Sequence, residues 1–259
     1  MGINTGHKTR MQKEIYGLIG SGIQYSRSPE IFRKLWDEAG LQQKEYRLLD
    51  TADLADAIAE ITQEEGWRGV SVTIPYKEAV LPYLDRLTER AEAVGAVNAI
   101  RIEEGGRLIG DNTDVAGFLT PLRPYFHADS LHHALLLGSG GAAKAVAYAL
   151  QTKGVKVTLV SRQEGAGRIT YEQLHDERAL LPTIDLVVNA TPLGGPKYPQ
   201  EIPPLPYDQL RKQIILYDLN YAGPLLFLQQ HPSATTIDGL PMLHAQAVEA
   251  LAFFTGSNV

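Results

Sequence analysis

The chain has 259 residues, 44% hydrophobic and 21% charged, with 24 glycines and 15 prolines, an ordinary globular composition that excludes disordered, collagen-like and low-complexity classes. Its length suits one large domain or two small ones. Cysteine is absent, which removes disulfides, thiolate metal ligands and a thiol nucleophile, while a net charge of −6 without clustered Lys and Arg argues against nucleic-acid and polybasic membrane surfaces and leaves a small molecule as the expected partner.

Residues 1–12 carry Lys8 and Arg10 but no signal-peptide apolar core follows them. No apolar run approaches the roughly 18 residues of a membrane span, so a cytoplasmic protein is expected. From Tyr16 onward, short apolar runs alternate with amphipathic stretches, the pattern of an α/β fold with a mostly parallel sheet. Residues 16–20 (YGLIG) predict a strand. A helix is expected from Ser28, acting as a hydroxyl N-cap, with Pro29 at the first helical position, Ile31, Phe32, Leu35 and Ala39 at helical spacing and Gly40 as the stop. A strand over 45–50, a helix over 52–65 closed by Gly66, and a strand over 68–74 ending at Pro75 follow. VNAIRI (97–102) and RLIGDN (107–112), separated by EEGG, predict a β-hairpin.

A second unit begins near residue 115. Strand 134–138 (ALLLG), helix 141–154 and strand 155–162 make one βαβ unit, and the all-apolar runs 184–190 and 213–219 predict two further strands. Between those runs, residues 191–208 hold six prolines and are expected to form an ordered surface loop. A helix over 243–256 closes the chain.

Gly138, Gly140 and Ala143 form G-x-G-x-x-A directly after a strand and at the start of a helix, where backbone can approach a pyrophosphate at the positive helix end. A tight structural turn is the alternative, but strand, glycines, helix and second strand together favour a dinucleotide site. The next strand ends Val160-Ser161-Arg162-Gln163 without the acid that an NAD ribose requires. Arg162 is placed instead for a 2′-phosphate, which points to NADP; an ordinary solvated arginine at a strand end is the alternative.

In the first unit, Ser26 and Ser28 flank a helix start and suit a carboxylate, although an N-cap and a loop hydroxyl explain them equally. If Pro75 opens a helix, Lys77 lies in its first turn, where the dipole disfavours the ammonium and suits proton transfer. Asp114 follows the hairpin and, converging with Lys77 on one cleft, would share a proton with a substrate hydroxyl. A surface lysine and a turn acid are the plain alternatives. The seven histidines show no ligand spacing, so no metal is expected, and neither a G-x-S-x-G elbow nor a P-loop occurs.

Taken in order, YGLIG…SRSP (16–29), VTIPYK (72–77), GAVNA (95–99), GDNTD (110–114), GSGGAAKA (138–145), NATPLGG (189–195) and GLPMLHAQA (239–247) resemble the shikimate dehydrogenase family from Tyr16 to about Phe254. The resemblance implies NADP-linked, reversible reduction of 3-dehydroshikimate to shikimate, in aromatic amino-acid biosynthesis. It implies that Ser26 and Ser28 hold the substrate carboxylate, that Thr73, Asn98, Asp114 and Gln246 contact its hydroxyls, that Tyr221 belongs to the substrate site, and that Lys77 is the catalytic lysine with Asp114 its partner. Gly138, Ser139, Gly140, Gly141, Ala142, Ser161, Arg162, Asn189, Thr191 and Gly239 would bind the cofactor. The implied architecture is a discontinuous substrate domain, residues 12–114 plus 240–259, with an open, mostly parallel sheet, and a Rossmann-type doubly wound NADP domain over 115–239. A monomer or homodimer is expected.

Phe32, Arg33, Ser71, Ala99 and Val115 depart from the family pattern, and Gln163 replaces its usual threonine after Arg162. A quinate/shikimate enzyme with relaxed substrate choice or NAD preference, and a non-catalytic sensor of shikimate or nucleotide, are therefore the alternatives. Retention of both Lys77 and Asp114 speaks against the sensor, since binding alone needs no proton-transfer pair.

Overall fold

The computed structural model describes residues 13–256 other than 42, 128, 129 and 178, with backbone alone at His127. The amino-terminal segment discussed above lies outside the described residues, as do residue 12 and residues 257–259 at the expected domain limits.

Among the described residues the strands form two six-stranded sheets. The first contains β1 (Glu14–Gly20), β2 (Lys44–Asp50), β3 (Trp67–Val72), β4 (Arg86–Leu87), β5 (Ala99–Ile102) and β6 (Leu108–Asp111), in the order β2-β1-β3-β5-β6-β4. β1 runs parallel to β2 and β3, while the β5–β6 hairpin places β5 antiparallel to β3. The carboxyl ends of β1, β3 and β6 therefore share one edge with the start of β5. Helices α1 (Ser28–Glu38), α2 (Leu54–Gln63) and α3 (Glu89–Val94) belong to this half, and α4 (Asp114–Leu119) and α5 (Arg123–His127) lead out of it.

The second sheet contains β7 (His133–Leu137), β8 (Lys156–Ser161), β9 (Arg168–Thr170), β10 (Leu186–Asn189), β11 (Ile215–Asp218) and β12 (Thr235–Ile237), all parallel. Its order, β12-β11-β10-β7-β8-β9, is that of a doubly wound dinucleotide fold, with the chain reversing direction between β7 and β10. The apolar run in β7 has a simple cause. Ala134 and Leu136 enter one core with α6 (Gly141–Gln151), while Leu135 and Leu137 enter a second core with Leu174 of α7 (Tyr171–Asp176). A strand covered on both faces has no polar side to offer.

The last helix, α8 (Leu240–Thr255), returns to the first half, where Leu243, Ala247, Leu251 and Phe254 are buried with Tyr16, Ile31 and Phe32. Each large apolar side chain buried there contributes about 1.5–3 kcal/mol. No helix among the described residues is long and apolar enough to cross a membrane.

Several expectations need correction. Ser28 is not the cap of α1: Arg27 occupies that position without a side-chain cap bond, and Ser28 is the first helical residue. No helix begins at Pro75. Residues 74–80 form successive turns after a cis Ile74–Pro75 bond, so Lys77 has no helix N-terminus of its own. β3 ends at Val72, α8 starts three residues before the expected helix, and β4 and α3 occupy a stretch for which no element was expected. β4 is two residues long, too short to show a period.

Gly117 lies where α4 crosses α8. A methyl group there would sit 2.9 Å from Gln246 Cβ and 3.0 Å from the Met242 carbonyl oxygen, neither of which can swing aside. Although alanine favours a helix over glycine by about 1 kcal/mol, overpacking costs about 1–3 kcal/mol. Gly117→Ala is expected to lower the melting temperature by roughly 2–6 °C, and a thermal melt with an unchanged or raised midpoint would contradict the close crossing.

Candidate active site

The edge shared by β1, β3, β5 and β6 gathers the polar residues singled out above. After β6 the chain is pinned at each step: Asp111 accepts from Thr88 Oγ1 at 2.6 Å and from Arg90, Asn112 Nδ2 donates to the Ala96 carbonyl at 2.8 Å, and the Thr113 N–H donates to Asn98 Oδ1 at 2.7 Å. This fixed segment presents Asp114, 1% exposed, to Lys77, whose Nζ donates to Asp114 Oδ2 at 2.6 Å. Asp114 is thus the first residue of a helix and is buried, not a solvated turn acid. Lys77 owes its place to this pair and to the turns after β3.

Asn98, 3% exposed, donates through Nδ2 to Gln246 Oε1 at 2.9 Å, joining α8 to the same edge. Thr73 directly follows β3, with its N–H on the Ile19 carbonyl of β1. Ser26 and Ser28 follow β1; their hydroxyls lie 3.2 Å apart and the Ser28 N–H donates to Ser26 Oγ. Tyr221 comes from the second half of the chain yet packs on the Tyr16–Phe32–Phe254 cluster. Burial raises its hydroxyl pKa, and the Ser26 side chain and the Arg27 backbone N–H, both beside that hydroxyl, draw it partly back.

The turn after β7 fits a dinucleotide. Gly138 has φ +110°, and a methyl there would approach the Ala190 carbonyl oxygen to 2.9 Å, so conformation and space both demand glycine. Ser139 and Gly140 lead into α6, and nothing lies within 4 Å of where a Gly140 side chain would start, so the eleven-residue helix presents an open N-terminus. Gly141 and Ala142 form its first turn, and a methyl on Gly141 would lie 3.0 Å from Lys77 Cβ. The glycine turn therefore abuts the lysine. Lys144 bridges to Glu78 at 2.5 Å across the same junction.

Past β8, the Ser161 hydroxyl donates to the Gln163 carbonyl at 2.5 Å, shaping the turn that exposes Arg162. Arg162 lines an open cavity of about 480 Å³ together with Thr170, Tyr171 and Gln173, and with the acids Glu164, Glu172 and Asp176. Asn189 and Thr191 are bonded to each other, the Thr191 hydroxyl donating to Asn189 Oδ1 at 2.6 Å, and the Gly239 N–H donates to the Asn220 carbonyl at 3.0 Å.

Two residues of this region escaped the sequence reading. The Tyr46 hydroxyl is buried close to Ser28 and Ser71, and burial drives its pKa upward against the pull of those two hydroxyls. Asp218, fully buried at the end of β11, accepts at Oδ1 from the Asn220 N–H (3.0 Å), Asn220 Nδ2 (2.8 Å) and Asn189 Nδ2 (3.0 Å), while its Oδ2 has no partner. The only signal was the polar triplet Asp218, Asn220, Tyr221 at the end of an apolar run.

A family model described as the shikimate dehydrogenase substrate binding domain matches residues 18–100. The NADP(+) shikimate dehydrogenase of Clostridium botulinum strain 657 is 34% identical over 249 residues, covering 92% of this chain and 95% of that protein. The structure of shikimate 5-dehydrogenase from Thermus thermophilus in complex with NADP(H) and shikimate superposes with a TM-score of 0.79 at 30% identity, covering 94% of each chain. That of quinate dehydrogenase from Corynebacterium glutamicum in complex with NAD superposes with a TM-score of 0.81 at 31% identity, covering 95% of this chain and 94% of that one.

Burial pushes the Asp218 carboxyl from 3.8 up to about 6, outweighing the Asn220 and Asn189 donors that favour its ionised form. The folded protein thus holds this proton more tightly than the unfolded chain. The stability it contributes is complete below about pH 4 and is lost as pH rises to about 6, up to roughly 3 kcal/mol at 1.36 kcal/mol per unit. Urea unfolding at pH 4.5, 5.5 and 7 should show Asp218→Asn gaining on the parent protein as pH rises. A constant difference would contradict the buried ionisation.

Proposed function

The chain belongs to the shikimate dehydrogenase family, and from that premise we propose that it reduces 3-dehydroshikimate to shikimate, reversibly and with NADP(H), as a step of aromatic amino-acid biosynthesis. The observation that carries this reading is the pair formed by half-buried Lys77 and buried Asp114, 2.6 Å apart and packed against the glycine turn that opens α6. A proton donor and a dinucleotide cradle in direct contact are what carbonyl reduction requires.

Gly138, Ser139, Gly140, Gly141 and Ala142 would hold the pyrophosphate on the α6 N-terminus, Arg162 beside Ser161 the 2′-phosphate, and Asn189, Thr191 and Gly239 the nicotinamide end. When bound, NADP(H) supplies or accepts the hydride. The chain's own residues do the rest. Ser26, Ser28 and Tyr221 orient the substrate carboxylate, and Thr73, Asn98 and Gln246 its hydroxyls. Lys77 Nζ, aimed by its hydrogen bond to Asp114 Oδ2, gives its proton to the carbonyl oxygen as that oxygen becomes negative, and takes it back in the reverse direction. In this reading residues 12–114 with 240–259 form the substrate unit and 115–239 the cofactor unit. The enzyme acts in the cytoplasm as a monomer or homodimer, with no nucleic-acid or membrane partner.

One observation favours a second reading, broader use of quinate or NAD: Arg162 shares its cavity with Glu164, Glu172 and Asp176, which would oppose a 2′-phosphate. An absorbance assay at 340 nm over shikimate, quinate, NADP and NAD separates the two. Shikimate with NADP is expected to give the highest kcat/KM, and a chain inactive with every pair would overturn the reading.

Lys77→Ala should lower kcat about 10²–10⁴-fold with KM for shikimate within about threefold, because the lost interaction belongs to the transition state. It should also unfold more easily, since buried Asp114 is left unpaired. A fully active variant would refute the role. Arg162→Ala should raise KM for NADP about tenfold, the worth of one charge-assisted contact, and leave KM for NAD unchanged. An unchanged NADP-to-NAD ratio would remove Arg162 from the phosphate site.

A further inference from the structure

Asp218 is buried and titratable, and it lies outside the proton-transfer step. One of its oxygens nevertheless ties together three segments around the cleft. Oδ1 accepts from Asn189 at the end of β10 and twice from Asn220, the residue before Tyr221. Asn220 Nδ2 also reaches the carbonyls of Thr191 (3.1 Å) and Leu193 (3.2 Å), and the Asn220 carbonyl receives the N–H of Gly239, one residue before α8. Two residues beyond Tyr221, Gly223 closes the same turn: its φ is +103°, and a methyl there would stand 2.8 Å from the Gly194 carbonyl oxygen. Tyr221 is thus carried on a turn whose near side is fixed by Asp218 and whose far side is pressed on the loop after β10.

We infer that Asp218 is a positioning residue for substrate capture: through Asn220 it holds Tyr221 against Ser26 of the other unit, while the same oxygen pins the loop bearing Thr191. The substrate's carboxylate end and the cofactor's nicotinamide end are thereby built on one anchor. A packing role alone would not require one carboxylate oxygen to receive three N–H groups from two asparagines. The inference rests on the shikimate reading above.

The test is shikimate affinity, measured by titration calorimetry on Asp218→Ala, Asp218→Asn, Tyr221→Phe and the double variant Asp218→Ala/Tyr221→Phe. If Asp218 acts through Tyr221, Asp218→Ala and Tyr221→Phe each weaken shikimate about tenfold, and the double variant is no more than about twofold weaker than either, since residues in one network are not additive. Asp218→Asn keeps the acceptor oxygen and recovers affinity to within about threefold of the parent. Unchanged affinity in Asp218→Ala, losses that multiply fully in the double variant, or an Asn variant as weak as the Ala variant would each overturn the inference. Should Asp218→Ala fail to fold, Asn220→Ala takes its place with the same expected loss and the same non-additivity with Tyr221→Phe. A parent protein that neither binds nor oxidises shikimate would remove the proposed function. A parent that does both, with Asp218→Ala unaffected, removes this inference alone.

Discussion

The crossing of α4 over α8 is the contact on which the two halves of the molecule depend. Gly117 lets the α4 backbone approach α8 so closely that no side chain fits between them at that point. Asp114 lies three residues earlier, on the same face of α4, while Gln246 lies on α8 at the contact itself. One close approach therefore sets both the acid that orients Lys77 and the amide that joins Asn98. The exposed Lys144–Glu78 bridge across the cleft is worth about 0–1 kcal/mol, so the junction is held by the apolar crossing and not by surface charge.

Burying Asp114 beside Lys77 has a cost that explains the surroundings of the pair. A carboxylate at 1% exposure loses most of its hydration, and its partner's attraction offsets that loss only if the geometry is fixed beforehand. The run of bonds from Asp111 through Thr113, together with the turns after β3, does that fixing. The polar ladder after β6 and the turn after β7 consequently have one effect, a lysine held still between Asp114 and the glycine turn.

Local pattern carried most of the architecture into the sequence. β7 and β10 read as strands because both faces of each are covered, and Gly138, Gly40 and Gly66 marked turns because their backbones lie where side chains rarely go. What depended on distant partners was hidden. Pro75 reads as a helix opener, yet the bonds around residues 74–80 are single turns, and Lys77 is oriented from residue 114 instead. β4 exists only because β6 offers it an edge. Asp218 closed an apolar strand run and Tyr46 stood between Glu45 and Arg47 in a mixed one, and in neither place can a buried acid or phenol be recognised until the segments facing it are known. The bonds of Asn98 to Gln246, 148 residues away, and of Asp218 to Asn189 are contacts of that kind.

The distribution of charge along the cleft also bears on how such a site would work. At the proposed carboxylate end the groups facing inward are the neutral hydroxyls of Ser26, Ser28 and Tyr221. Arg27, between the two serines in sequence, is turned to Glu30 on the surface. At the proposed reacting end stands Lys77, half-buried and paired with buried Asp114. Neutral donors hold ground state and transition state nearly alike, so in the proposed reaction they would orient the substrate without favouring either state. In the proposed reaction Lys77 would interact most strongly with an oxygen that is becoming negative, the one species that differs between the two states. A net charge of −6 over the whole chain is therefore no obstacle to anionic ligands, because the fields that matter are set within a few ångströms by hydroxyls, a helix end and one lysine.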